Sequence, residues 1–565
     1  MNPLTHSKKA TILTPLVVVA LISLWLSPAA RAVCQEGCLS NLNTALGENA
    51  LINTTGFANT ATGFRALFNN TTGDHNTAIG NQALDGNTTG DLNTATGAGA
   101  LISNITGSSN TATGYHALDG NTTGNHNTAT GTGALIRNTT ASNNTATGSE
   151  SLSSNTSGSD NTATGYQALA SNTTGVNNTA SGVEALSSNT TGFNNTAGGF
   201  QALLSNTTGE DNTATGAFAL EFNTTGTNNT ADGFETLLSN TTGFNNTASG
   251  VQALLGNTTG FNNTASGFQA LFSNTTGVNN TATGVGALIS NTIGNSNTAS
   301  GLDSLGSNTS GSGNTASGFA ALISNTSGGQ NTATGFGALF ANTTGNSNTA
   351  TGLNSLLNNT IGSSNIALGA AAGINLTTGS NNIDIGNAAI AAEANTIRIG
   401  TSGTQTRAFI AGISGVAVPG GVGVVVGNSG KLGTVVSSKR FKESIQAMDK
   451  ASEAILALKP VTFFYKHELD PDGIAQFGLV AEEVEKVNPD LVARDEQGKP
   501  YTVRYEAVNA MLLNEFLKEH RKVEEQGTMI ARQQKQIEAL TAGLQKVSAQ
   551  IELSKPAAQT ALNNH

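Results

Sequence analysis

Asn59-Thr60-Ala61-Thr62-Gly63-Phe64-Arg65-Ala66-Leu67-Phe68-Asn69-Asn70-Thr71-Thr72-Gly73-Asp74-His75 decides the fold, because at Asn76 the same pattern starts again. Asn-Thr-Ala returns with a constant step of 17 residues from Asn59 to Asn348. A unit at Asn43 is one residue short, weaker units start at Asn365 and Asn382, and the phase changes before Asn395. With columns numbered from Asn59, column nine is Leu in 18 consecutive units, from Leu67 to Leu356. Column three is Ala from Ala61 to Ala367, column five Gly from Gly63 to Gly386, and column twelve Asn from Asn70 to Asn359. Column sixteen varies freely, as Asp74, Ser108, Val176 and Phe193.

Self-similarity at this period is the mark of a solenoid. A helical repeat needs more than 17 residues, and Gly, Asn and Thr are poor helix interiors. Short strands joined by tight turns fit instead. Gly supplies positive φ at the corners, and Asn tolerates turns and stacks in ladders. The Ala and Leu columns then form a thin interior. With coils about 4.8 Å apart, some 20 coils make a rod on the order of 95 Å long.

Composition agrees. Charged residues are only 11% of the 565, and 68 are Gly, against about 25% charge and about 7% Gly in ordinary soluble proteins. No Lys occurs between Lys9 and Lys431. Residues 43–400 hold three Arg against 16 acidic residues, net −13; residues 431–565 hold 18 Lys and Arg against 19 acids, net −1. A Lys-free acidic middle excludes nucleic acid as a partner, because phosphate contacts need Lys and Arg.

The core Asn-x-Ala-x-Gly-x-x-Ala resembles the head repeats of trimeric autotransporter adhesins. That resemblance implies a left-handed parallel β-roll associating in threes. The units here are longer, and a charged helix stands where that family has a membrane β-barrel. Other readings of the repeat are weaker. The Thr60-x-Thr62 ladder has the form of an ice-binding face, but Ile79, Gly198 and Asp232 interrupt it. Calcium-binding rolls need acidic turns, and the acids here are scattered. The many Asn-x-Thr triplets read as by-products of Asn ladders rather than as glycosylation sites. No paired carboxylates recur at a constant rod position, as a glycan-degrading fibre would need. No cofactor motif or metal-ligand cluster stands out.

At the N-terminus, Lys8 and Lys9 precede an apolar run from Leu16 to Leu26, followed by Ala30-Arg31-Ala32. This is the layout of a secretory signal peptide over residues 1–32, with a mature start at Val33 and no transmembrane anchor after its removal. In an exported chain, Cys34 and Cys38 are candidates for a disulfide within residues 33–42 or between chains.

After the rod, residues 401–436 are rich in Gly and small apolar residues and read as a β-rich stalk. Then comes Ser437-Ser438-Lys439-Arg440-Phe441-Lys442. Downstream lie Ala454 to Phe464, with Leu458-Lys459-Pro460-Val461-Thr462-Phe463, then Gly478-Leu479-Val480-Ala481-Glu482-Glu483-Val484, then Tyr505-Glu506-Ala507. In this order the motifs resemble the self-cleaving intramolecular chaperone domain of endosialidases and related tail spikes, placing a tail-fibre-like protein behind the sequence. Ser437, Arg440 and Lys442 match its opening Ser-Asp-x-Arg-x-Lys; Ser438 replaces the Asp. The resemblance implies that Ser437 attacks the Val436 carbonyl, that Lys442 takes its proton, and that Arg440 orients or supports. A Ser hydroxyl needs such a base, and Ser–Lys pairs are a known variant of the triad. The activity that the resemblance implies is one autocatalytic cut at Val436–Ser437, without turnover.

Phe516, Val523, Ile530, Ile537, Leu544 and Ile551 stand seven apart, which predicts a coiled coil over 511–565. The expected chain is therefore mainly β: a parallel solenoid over 43–400, the stalk, a small α+β chaperone core over 437–510, and the helix. The function expected is that of a secreted or cell-surface homotrimeric fibre, adhesin-like, with a surface glycan or host ligand. The alternatives are a structural surface protein that does not cut itself, or a glycan-degrading fibre.

Overall fold

The computed structural model describes residues 41–413, 417–427, 429–495 and 497–555; the signal-peptide segment and Cys34 and Cys38 lie outside them. The chain divides into two units, Met1–Ala408 and Phe409–His565.

The first unit is the expected solenoid. Strands β1 (Thr44–Leu46), β2 (Thr60–Thr62) and so on to β22 (Ile397–Ile399) contribute three residues per coil to one 22-stranded sheet. Pairing is parallel, with Thr60 opposite Thr77 and Ala61 opposite Ala78. The short first unit gives a 16-residue step, Thr44 to Thr60. The phase change gives a 14-residue step, Ile383 to Ile397. Twenty-one steps of about 4.8 Å make a rod of about 100 Å.

The strand period of two turns the central Ala inward and the two flanking Thr outward. Ala61, Ala66 and Leu67 are fully buried, as are their counterparts up the rod. Two Asn ladders hold the coils together. Asn76 donates from its side-chain and backbone nitrogens to Asn59 Oδ1, at 3.1 and 2.9 Å. Asn87 Nδ2 donates to Asn70 Oδ1 at 2.7 Å. Both side chains also donate to the carbonyl of Gly90, at 2.8 and 3.0 Å. Buried amides are thus satisfied from coil to coil, which matters because an unpaired one costs about 1–3 kcal/mol. Burial of Asn70 and its column also explains the Asn-x-Thr triplets as structural.

Glycine has the expected corner role in column five: Gly63 has φ +132°, and a Cβ there would stand 2.3 Å from the Gly80 carbonyl. Most of the other left-handed positions are not glycine, though Gly99, Gly133, Gly286 and Gly337 fill the Arg65 column at some coils and Gly313 the His75 column at one. Arg65, Leu67 and His75 take φ of 56°, 53° and 57°, and their columns follow suit. A non-glycine residue in this region costs roughly 1–2 kcal/mol. Full burial of a Leu side chain returns about 1.5–3 kcal/mol, so column nine holds Leu because the turn aims it into the core.

The rod's far end departs from the repeat. Column three becomes Asp384 in β21 (Ile383–Ile385) and Arg398 in β22. Arg398 donates to both oxygens of Glu393 at 2.8–3.0 Å. Asp384 is 1% exposed, and neither carboxylate oxygen has a hydrogen-bond partner among the described residues. Burial, reinforced by the Glu393 charge and opposed by Arg398, pushes its pKa up to about 6.

The second unit is thinly built. Among the described residues of the expected stalk, a hairpin of β23 (Val424–Val426) and β24 (Leu432–Thr434) is the only sheet. Strands need a ladder partner, and the flanking described residues form none; Phe409 is 90% exposed. Beyond it lie the antiparallel pairs β25 (Val461–Phe463) with β26 (Gln476–Gly478) and β27 (Val492–Arg494) with β28 (Pro500–Val503). Helix α1 (Ala481–Val487) and the 49-residue α2 (Tyr505–Leu553) complete it. Val484, Leu491, Val492, Val503 and Met511 form the small core.

Candidate functional site

Ser437 and Lys442 flank a single 3-10 turn, Lys439–Phe441. The turn is closed by hydrogen bonds from the Phe441 amide to the Ser438 carbonyl (3.0 Å) and from the Lys442 amide to the Lys439 carbonyl (3.1 Å). Ser438 is extended, with φ −64° and ψ 142°. Five residues that would span about 17 Å in a strand are thereby folded back, and Lys442 Nζ donates to Ser437 Oγ at 3.3 Å. Arg440 does not join them; its guanidinium lies over the Phe441 ring, 4.6 Å from the centroid. Val436, Ser437, Arg440 and Lys442 are all exposed in the single chain.

Further along the chain, the 3-10 stretch Asp449–Ala457 is fixed to α2 by polar contacts. Ser452 is fully buried; its hydroxyl donates to Glu515 Oε1 at 2.5 Å and accepts from Asn514 Nδ2 at 2.7 Å. Lys518 Nζ donates to Glu515 Oε1 and to the Asp449 carbonyl, both at 2.6 Å. The Lys518 contact, then that of Ser452, holds the Glu515 carboxyl below the usual range, and Glu515 in turn raises Lys518. Tyr505, at the start of α2, accepts from the Leu479 amide at 3.0 Å, tying the Tyr-Glu-Ala motif to the Gly-Leu-Val-Ala motif. The sequence reading missed this Ser452–Asn514–Glu515–Lys518 cluster. Its one local signal was the i, i+3 spacing of Glu515 and Lys518.

No group of three His, Cys, Asp or Glu side chains suited to a metal occurs among the described residues. Among the same residues, no helix is long and apolar enough to cross a membrane.

The architecture defines a class: a parallel β-solenoid followed by a small α+β unit with a long terminal helix. Residues 437–493 match the model of the peptidase family described as chaperone of endosialidase, a family of self-cleaving intramolecular chaperone domains. The match begins at Ser437, and with the solenoid it fits a tail-fibre-like protein. No curated protein and no solved structure matches the chain.

Proposed function

We propose that this chain is a secreted or cell-surface fibre, a homotrimer in which the C-terminal domain brings three chains together and then cuts itself off at Val436–Ser437. The observation that carries the cut is the 3.3 Å contact between Lys442 Nζ and Ser437 Oγ, at the residue where the family match begins.

The step balances within the chain. Ser437 Oγ bonds to the Val436 carbonyl carbon while Lys442, as a neutral amine, takes the hydroxyl proton. The Val436–Ser437 C–N bond then breaks, its nitrogen takes the proton, and the acyl group is left as an ester on Ser437 Oγ. Water hydrolyses the ester, giving a Val436 carboxylate and a free Ser437 amine. An amine is a base only when neutral, and burial favours that form. Assembly of neighbouring chains around an exposed pair is what would switch the chemistry on.

Assembly is also what α2 calls for. Phe516, Val523, Ile530, Ile537, Leu544 and Ile551 are all exposed on one helix, about 74 Å long at 1.5 Å per residue. A heptad seam of this kind is covered by partner helices. A long run of near-identical coils can pair out of step between chains. A terminal trimeriser sets the register, and its removal leaves a product that persists kinetically.

Ser437→Ala in the full-length chain tests the reading. The expected result is loss of the fragment beginning at Ser437, while the chain still assembles. Unchanged fragments in the variant overturn the assignment.

A further inference from the structure

Column six of the rod follows the Gly corner, and its side chains point outward. In its first six full coils it is mixed, including Asn81, Ala98, Thr132 and Ser149. From Tyr166 to Leu353 it changes character: eleven of twelve successive rungs are Tyr, Phe, Leu or Val. These eleven are between 41% and 53% exposed. The one small residue is Ala217, and the neighbouring Phe218 bridges it, its ring 5.2 Å from that of Phe200 and 6.0 Å from that of Phe234. Phe319 and Phe336 stack face to face at 4.9 Å. The result is an unbroken apolar stripe about 53 Å long at about 4.8 Å per rung. No Lys or Arg occurs anywhere from residue 138 to 397.

Its size indicates what covers it. Aromatic side chains bury about 150–250 Å² each when enclosed, and the Val and Leu rungs somewhat less, so the eleven at roughly half exposure present on the order of 800 Å². The largest apolar patch on a typical monomer is about 300–600 Å², and a stable interface takes about 800 Å² from each partner. The stripe exceeds the first and meets the second. It also repeats with the rise of the coil, and a second copy of the chain offers the same rise, so two stripes can pack rung against rung along their whole length.

We infer that the column-six stripe from Tyr166 to Leu353 is the seam along which copies of this rod pack, and that the coils before it stand free of that seam. This rests on the homotrimer proposed above and adds where the rods touch.

The test uses the full-length secreted chain with Cys34 and Cys38 replaced by Ser. Phe268→Cys places a thiol on the stripe, Phe234→Cys places a second should the first disturb folding, and Thr259→Cys places one on an exposed column outside it. Each variant is treated with a short bis-maleimide, and native mass is measured alongside. The expected result is a three-chain native mass, with a shift of denatured chains to linked species for Phe268→Cys and Phe234→Cys and none for Thr259→Cys. A three-chain mass with no linking on the stripe, or equal linking on both columns, overturns the seam and leaves the trimer standing. A one-chain mass overturns the trimer and the seam with it.

Discussion

The rod and the C-terminal unit build their apolar cores in different ways. In the rod, each coil encloses its Ala and Leu columns against its neighbours in the same chain, and Leu67 through Leu356 are all fully buried. In the C-terminal unit, the heptad column of α2, along with Phe409 and Phe477, lies open, and the shared core is five buried side chains. The rod's coils are stabilised within one chain, repeat upon repeat. The described residues of the unit that follows leave many of their large apolar side chains exposed in the single chain. That division suits the role proposed above, of a unit that aligns chains and is then cut away.

The comparison can be broken from the C-terminal side. Ile530→Asp combined with Ile537→Asp puts two charges into the heptad seam. The expected outcome is the largest of any variant here: loss of the three-chain mass and, with it, of the cut at Ser437, while the circular dichroism of the rod is retained. A trimer that persists, or a rod that unfolds with the helix, would show that the two units do not divide the work in this way.

A smaller effect sharpens the picture at the rod's last coils. Asp384 titrates near 6 in the folded chain, above the ordinary value of 3.8, so folding is favoured by its protonation. Stability at this end is greatest in acid and falls as pH rises through about 6. Glu393 is shifted the other way, chiefly by its hydrogen bonds from Arg398, and its contribution is lost only below its ordinary value of 4.5. Between about pH 4.5 and 6 Asp384 therefore sets the sign. Hydrogen exchange of residues 376–399, corrected for intrinsic rates, should slow as pH falls across this window. Asp384→Asn should flatten the profile, and an unchanged profile in the variant would remove Asp384 as its cause.

Much of the rod was legible because its code is redundant. The 17-residue step, the inward Ala of Thr-Ala-Thr and the stacking Asn columns each follow from a period or from a residue's own chemistry. The left-handed turn at Leu67 was not legible. Leu is an unfavourable choice for that backbone, and only the enclosed interior, which no single coil displays, makes it the right one. In the stretch expected as a stalk, Val422 to Val426 has strand composition, and among the described residues Val424–Val426 pairs as β23 with β24; a strand needs such a ladder partner, which composition alone does not name. At the proposed cleavage site the residue types and spacing were readable, whereas the 3-10 turn that brings Lys442 back to Ser437 was not. The Ser452–Glu515 contact joins residues 63 apart, beyond any local pattern.

The central claim is that the C-terminal unit assembles three chains and then releases them. The most direct measurement is the mass of the secreted wild-type protein, native and denatured, from one preparation. The account predicts a native mass of three rods, each denatured chain ending at Val436, with a separate 437–565 fragment. A native mass of one chain, or denatured chains that all run on through residue 565, would contradict it.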